Sequence, residues 1–419
     1  MKKILFLIFS FGYLLASDGE LTLSQVIELA KKPSFEQKNI LFKIEQSDAD
    51  ISQTKENYYP NLYLDTQLGR EQNLIGEKNI AMNDSFAYIV WKNNLFDSSD
   101  TISLQNYSDT KHLQELHLQE SFLKRKIIAM QYFFDVRLAT LYHQYILEQL
   151  AMEAIYRNRV VDVEKTGRVS DIELLEKESA MQLASAKNYK AEQEVFIKKQ
   201  KLTDFLGLDF YSVKNLLKPD VSSYFDKKIP EAEKLKELAL KNDTTLLKIQ
   251  QKIKQISNEI KAIDDSYNIK LSSTVMVGQE TQKTLHHDDN RFEARLNLQI
   301  PLYDRETNTN KAQKLMIEKK RLENKQAGYI QELNLKIDQL LLELDYQKRL
   351  HKAADINLDY RNLYLEKARI KYDQDRASDL GDSMAMLSLA EYEYTKSQYA
   401  YAIAYENLNL LTGVENETK

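Results

Sequence analysis

Two spacings of apolar residues take turns along the chain. The clearest period of two lies in Arg291–Asp304, RFEARLNLQIPLYD. There Phe292, Ala294, Leu296, Leu298, Ile300 and Leu302 alternate with Glu293, Arg295, Asn297 and Gln299. Such alternation predicts a strand with one apolar and one polar face. About 11–12 residues suits a strand of a soluble sheet and equally one that crosses an outer membrane. The next part of the chain is unusual: about 70 residues of helical sequence broken by one glycine, Gly328. A lone strand of this type feeding so long a helix is an uncommon arrangement.

Three more stretches alternate. Asn61–Glu71 sets Leu62, Leu64, Thr66 and Leu68 against Tyr63, Asp65, Gln67 and Gly69. Ser85–Leu95 has Phe86, Tyr88 and Val90 on one face, blurred by Ile89 and Trp91. Its tyrosine and tryptophan fit an interfacial aromatic girdle or an ordinary core. Lys270–Gly278 alternates Leu271, Ser273, Val275 and Val277 with Ser272, Thr274 and Met276. The polar segments Asn73–Asp84, with Gly76, and Gln279–Asn290 are expected to be loops.

Elsewhere the period is near 3.5. Glu20–Tyr59 predicts a helix capped by Thr22 or Ser24, with an apolar face begun by Leu23, Val26, Ile27 and Ala30. Ile40, Ile44 and Ile51 extend a face beyond Pro33, and Pro60 ends the segment. Asp97–Thr166 has neither Gly nor Pro, and Leu116, Leu123, Ile127, Met130, Phe134, Leu138, Leu141 and Tyr145 fall mostly at coiled-coil spacings. A continuous helix here is about 105 Å long at 1.5 Å per residue. Gly167 interrupts it. Ser170 or Asp171 caps a further helix to Leu206, which Gly207 stops. Leu333, Ile337, Leu340 and Leu344 repeat the seam in the second half.

The halves correspond. Glu28-Leu29-Ala30 matches Glu237-Leu238-Ala239, Tyr58 matches Tyr267, and Gly69 matches Gly278. Leu95-Phe96-Asp97 matches Leu302-Tyr303-Asp304. Arg168, Ser170 and Asp171 match Arg376, Ser378 and Asp379, and Gly207 matches Gly413. The offset stays between 206 and 209 residues. The chain therefore divides into residues 18–207 and 231–413 as two repeats, each helix, strand, loop, strand, long helix, turn, helix. Residues 208–230 join them as a linker or small structure, and 414–419 form a tail. The fold class is mostly α with a few strands, α+β and internally duplicated.

Composition narrows the function. The chain has 419 residues, a net charge of −5 and no cysteine. Nothing electrostatic favours nucleic acid. Disulfides, thiolate metal sites and an acylated N-terminal cysteine are excluded. Residues 1–17, with Lys2 and Lys3 before the apolar run Ile4–Ala16, are expected to be a secretory signal peptide. No other run approaches a helical membrane span. Four strands do not close a membrane barrel, and an open sheet edge in lipid leaves backbone groups unpaired. Strands in a membrane must then come from several chains, twelve from three or eight from two. The charged long helices need lateral partners as well. His286, His287, Asp288 and Asp289 carry the residue types of a metal site, but a polar loop is the simpler reading; no metal, cofactor or catalytic constellation is expected, and the chain is not expected to be an enzyme.

The doubled order of elements resembles the TolC family of outer-membrane efflux proteins. LTLSQVIELA at 21–30, LFD at 95–97, PLYD at 301–304 and the stretches after Gly167 and Tyr372 carry the likeness, which covers the mature chain. The resemblance implies a homotrimer in the outer membrane of a Gram-negative bacterium, with a shared 12-stranded barrel on a long helical barrel. It implies a passive exit duct for an inner-membrane pump or type I secretion machine, joined by a periplasmic adaptor (membrane fusion) protein. The turns at 166–173 and 372–382 then form a periplasmic gate, with Tyr372, Arg376, Asp379 and Asp382 matching the family pattern. Asp379 and Asp382 share a helix face. Three copies stack two acidic rings that attract cations. Asp171 is the expected partner for Tyr372 and Arg376. Thr166, Gly167 and Arg168, with Gln374 and Asp375, match the adaptor-docking tips. Glu293, Arg295, Asn297 and Gln299 become barrel lumen, opposite a lipid face from Phe292 to Leu302. The chain departs from the family in a shorter turn between Tyr372 and Asp379 and in lacking glycine at 374–376. The same tip residues also fit solvated turn and cap positions. A periplasmic coiled-coil adaptor or structural protein is the alternative function.

Overall fold

The computed structural model describes residues 19–75, 78–83, 85–164, 170–265, 269–281, 288–300, 302, 306–374 and 379–413, without the side chains of 70–75, 78–83, 264–265, 281 and 288–289. In chain order these form β1 (Glu20–Leu21), α1 (Leu23–Ala30), α2 (Phe35–Glu56), β2 (Asn61–Gln67), β3 (Arg70–Ile75), β4 (Lys78–Asn83), β5 (Phe86–Asp97), α3 (Ser98–Glu164) and α4 (Asp171–Leu206). A 3-10 turn at Phe210–Ser212 leads to β6 (Asn215–Leu216), α5 (Ser223–Asp226), α6 (Ala232–Asn242), α7 (Thr244–Asp265), β7 (Lys270–Thr281), β8 (Asp288–Gln299), α8 (Thr307–Asp373) and α9 (Leu380–Thr412). The order α1–α2, β2, β5, α3, α4 in residues 18–207 recurs as α6–α7, β7, β8, α8, α9 in 231–413, while β1 and the β3–β4 hairpin have no counterpart among the described residues of 231–413. Helices α3 and α8 are each 67 residues, about 100 Å of helix. Gly207 and Gly413 end α4 and α9 in the same left-handed conformation, at φ 68° and 66°, which glycine adopts without a side-chain penalty.

Three expectations are corrected. The stretch Glu20–Tyr59 is not one helix, because Pro33 lacks an N–H and separates α1 from α2. Thr22 does cap α1: its hydroxyl accepts from the Gln25 N–H, and the Gln25 amide oxygen accepts from the Thr22 N–H. The expected loop 73–84 is largely the β3–β4 hairpin, in register from Arg70 opposite Asn83 to Ile75 opposite Lys78. A hairpin held by backbone pairing carries no obligatory apolar face, so alternation does not reveal it. The expected loop Gln279–Asn290 likewise contains the end of β7 and the start of β8, which are paired to Thr281 and Asp288.

The chain forms two compact units, and each takes segments from both repeats. One contains the residues up to Ser34, Glu120–Asp243 and Glu332–Lys419. Its core gathers Val26, Met130, Phe133, Leu202, Val213, Leu216 and Tyr399 around the two-stranded parallel sheet of β1 and β6. Segment 208–230 is thus a small structure packed on helices. In this unit α3 lies between α4 and α9, and α9 meets α8. Asp135 accepts from Lys198 across α3–α4 at 2.7 Å. Phe134 stacks on Tyr399 across α3–α9 with ring centres 4.1 Å apart. Arg125 on α3 donates to the carbonyls of Ala30 and Phe205, closing the C-terminal ends of α1 and α4.

The other unit comprises Phe35–Gln119 and Thr244–Gln331. It holds the four-stranded antiparallel sheet β2-β5-β7-β8, in which the central β5–β7 pair joins the two repeats. Beside it Asp109 on α3 accepts from Gln251 on α7 at 2.9 Å, and Lys111 binds Asp48 of α2 at 2.7 Å. No helix among the described residues is long and apolar enough to cross a membrane.

Candidate functional site

The register of the sheet sorts its side chains onto two faces, since directly paired residues point the same way. Leu62 pairs with Trp91, which pairs with Val275, which pairs with Ala294. Leu64, Ile89, Val277 and Phe292 form a second row of the same kind. Every strand contributes apolar side chains to this face; Trp91 and Val275 are half-buried, but most are exposed, Phe292 and Leu296 being 72% and 70% accessible. Exposed leucines standing singly need no explanation, but a continuous apolar face across four strands does.

The opposite face is charged. Glu293, Arg295, Asn297 and Gln299 all lie on it, as the alternation predicts. Arg291 bridges Glu280 at 2.8 Å and Glu293 at 2.9 Å, and Arg295 pairs with Glu293. Tyr88 donates to Glu280 and pairs with Gly278. A Cβ at Gly278 falls 2.0 Å from the Ala87 carbonyl oxygen, so glycine permits the close approach of β5 and β7. Tyr88 and Val90 are buried on this face, away from Trp91. Tyr88 and Trp91 therefore do not form one aromatic girdle. Ile89 and Trp91, which blur the alternation of β5, both lie on the apolar face, opposite Tyr88 and Val90.

A second cluster surrounds the first turn of α9. Asp379 is its N-cap and Asp382 lies in its first turn, both exposed. The Tyr364 hydroxyl on α8 donates to Asp379 Oδ2 at 2.6 Å. That hydrogen bond holds the Asp379 carboxyl below its usual range, and the neighbouring carboxylate raises the Tyr364 phenol. The Tyr156 hydroxyl on α3 donates to Asp382 Oδ2 at 2.9 Å. Burial and then the Asp382 carboxylate raise the Tyr156 phenol. Between the two acids Gly381 faces Met152, and a Cβ there meets the Met152 sulfur. Further along the α3–α9 seam Ser388 donates to Glu148 at 2.7 Å. On the α4 side Arg157 binds Glu178 at 2.8 Å, and hydrogen bonds from Gln182 and Arg157 lower the Glu178 carboxyl.

Of the other sequence-predicted tip residues, Asp171 is exposed in the first turn of α4, next to the N-cap Ser170. Tyr372 and Gln374 are exposed at the end of α8. Thr166, Gly167, Arg168, Asp375 and Arg376 lie outside the described residues, as do the signal-peptide segment, the tail 414–419, His286 and His287. Sequence reasoning missed Tyr156 and Tyr364. Each sits in an uninterrupted helix with no turn or motif beside it, so only the helix pairing reveals its role. Among the described residues no group of three or more metal-ligating side chains is placed to hold an ion.

A duplicated chain with a four-stranded antiparallel sheet, two 67-residue helices and a shorter helix after each has the TolC-type fold, that of solved outer-membrane channels. Among solved structures, CusC, described in terms of transmembrane channel formation, matches with a TM-score of 0.71 at 14% identity, over 93% of this chain and 91% of that one. The CmeC outer membrane channel of Campylobacter jejuni gives 0.71 at 14% identity, over 93% and 85%. The open state of the MtrE outer membrane channel of Neisseria gonorrhoeae gives 0.67 at 14%, over 93% and 88%. No protein-family model and no curated protein matches the sequence.

Proposed function

We propose that this chain is an outer-membrane exit duct, a passive conduit of an efflux or secretion system. The observation that carries the reading is the four-stranded sheet with an exposed apolar face and, among the described residues, no pairing at the outer edges of β2 and β8. Apolar side chains on one face suit lipid. The charged face suits a water-filled lumen. Open edges do not survive in lipid, so β8 of one copy pairs with β2 of the next. Three copies of a four-stranded sheet supply twelve strands. The family resemblance and the matching folds favour three over two.

In this reading the unit that holds α4 and α9 meets an adaptor protein and an inner-membrane pump in the periplasm. Its tip is the gate. Asp379 and Asp382 line it as stacked acidic rings, with Tyr372, Arg376 and Asp171 around them. Thr166, Gly167, Arg168, Gln374 and Asp375 receive the adaptor. The conduit does no chemistry. Cargo selection rests with the pump and the charges of the lumen.

The test is extraction and reconstitution. Membranes from cells making the chain are washed with high salt and then with detergent, and the extract is reconstituted in planar bilayers. A duct needs detergent, has a native mass of three chains and gives discrete conductance steps. A chain released by salt, or one without conductance, returns the reading to a periplasmic coiled-coil protein.

A further inference from the structure

Helix α5 is pinned to α8 and α9 by a cluster of rings. Phe225 lies nearly flat on Tyr401 of α9, with centres 4.2 Å apart and planes at 12°. The His351 imidazole of α8 is 4.5 Å from the same Phe225 ring and 4.9 Å from Tyr394 of α9. Its Nδ1 is 3.1 Å from the Ser397 hydroxyl oxygen. Beside it the Tyr224 hydroxyl donates to Glu406 at 2.7 Å. Lys227 sits over the Tyr224 and Tyr405 rings. One imidazole thus joins three elements of one compact unit.

The hydrogen-bond network assigns the tautomer. Ser397 Oγ donates to the Tyr394 carbonyl oxygen at 2.7 Å, so toward His351 it accepts. Nδ1 therefore carries the proton in the neutral ring. A second proton enters at Nε2, for which no described residue is a hydrogen-bonded acceptor.

We propose that His351 is an acid-operated latch, and that its protonation releases α5 from α8 and α9. The neutral ring is fully served by Ser397 and by the faces of Phe225 and Tyr394. The cation must bring a charge into that half-buried stack, against the two ring faces that hold the neutral imidazole. Several groups act on the cation. From α8, the Asp355 carboxylate one turn on attracts it, while Lys348 one turn back repels it. From α9 come the neutral Tyr394 ring, which attracts it, and Lys396, which is set over the Tyr392 ring. From the α5 side come Asp226 and Lys227, the latter already set against two tyrosine rings. Burial outweighs the attractions and lowers the imidazole below its usual range. A base lowered by folding stabilises the fold at high pH. That stability declines as pH falls below the unfolded value of ~6.5 and is gone below the folded one. The latch does not depend on the chain being a duct.

The absence of cysteine allows one clean label. A nitroxide on Lys228→Cys, in the full chain in detergent, is followed by its spectrum from about pH 7.5 to about pH 5, either side of the ordinary histidine value of ~6.5. The wild-type background is expected to pass from an immobile to a mobile spectrum, with a several-fold rise in the mobile fraction. His351→Phe, which keeps an aromatic ring in the stack, is expected to stay immobile throughout. His351→Gln is expected to show no pH-dependent transition. A wild-type spectrum that does not change, or the same transition in either variant, overturns the proposal.

Discussion

Tyr156 and Asp382 are bonded across the boundary between the two repeats. The hydroxyl belongs to α3 of the first repeat and the carboxylate to α9 of the second, 2.9 Å apart. Tyr364 and Asp379 are bonded within one helical hairpin, α8 to α9. The two bonds hold the same helix end but resist different motions. If the second repeat's hairpin swings as a body, the first bond breaks and the second travels with it. In planar bilayers Tyr156→Phe is therefore expected to increase the open fraction or unit conductance more than Tyr364→Phe. Equal effects from the two variants count against the hairpin moving as a body.

In the proposed duct the two acids set a cation preference. Asp379→Ala with Asp382→Ala is expected to raise unit conductance and weaken cation over anion selectivity. Because the Tyr364 hydrogen bond lowers the Asp379 carboxyl, that residue keeps its charge below the ordinary carboxylate value of 3.8. The bond's stabilisation is complete above that value and is lost as pH falls through the lowered one. Tyr364→Phe should move the acid end of the selectivity profile upward in pH. Reversal potentials in a salt gradient, taken between about pH 3 and pH 6 around the ordinary range of ~3.9, decide this. Unchanged selectivity in the double alanine variant removes these acids from the gate.

The repeat, the four principal strands and the long helices were legible because each has a period and a counterpart about half a chain away. Leu95-Phe96-Asp97 announced a junction because Leu302-Tyr303-Asp304 repeats it. The β3–β4 hairpin was not legible, since polar strands held by backbone pairing leave no alternation. The split at Pro33 was visible, yet apolar spacing on both sides hid it. Of the tip, the acids could be named from residue type and position. Tyr156 and Tyr364 could not, because their partners are set by the pairing of α3 and α8 with α9. Tyr156 meets Asp382 from more than two hundred residues away.

Gly278 tests the sheet. Its absent Cβ lies 2.0 Å from the Ala87 oxygen and 2.7 Å from the Tyr88 ring. The nearest obstacle is backbone, so a small side-chain rotation does not relieve it. Gly278→Val forces β5 from β7, and overpacking of this kind costs about 1–3 kcal/mol or more. Loss of the heat-modifiable, membrane-inserted species on gels is expected, with Gly328→Ala as a harmless control in open space. A normal yield of inserted Gly278→Val sets aside the close β5–β7 contact.

Glu406 is 3% exposed and accepts from both Lys126 and Tyr224 at 2.7 Å. Removing Lys126 leaves a buried carboxylate with one neutral donor. Lys126→Met is expected to destabilise by about 3 kcal/mol, the low end for breaking a buried pair because the lysine is partly solvated. Lys126→Met with Glu406→Gln removes the charge as well and should recover much of that loss. Thermal unfolding in detergent compares the three proteins. A double variant no more stable than Lys126→Met excludes the buried charge as the cause.

The last prediction concerns what covers α8. Leu342 and Leu363 are 71% and 67% exposed, and with Leu335, Ile356 and Ile370 they fall at multiples of seven. That is a coiled-coil seam, facing no helix of its own compact unit. On the far side of the same unit α4 exposes Leu175, Tyr189 and Phe196, again at multiples of seven. A head-to-tail ring places α8 of one copy against α4 of the next and covers both seams. In a monomer these positions face water, where substitutions stay within about 0.5 kcal/mol. In the ring each introduced glutamate is buried against an apolar partner. Leu342→Glu with Leu363→Glu is therefore expected to keep the helical circular dichroism of the wild type while its native mass in detergent falls from three chains to one. Full trimer from the variant leaves α8 solvent-facing and moves the chain-to-chain contact elsewhere.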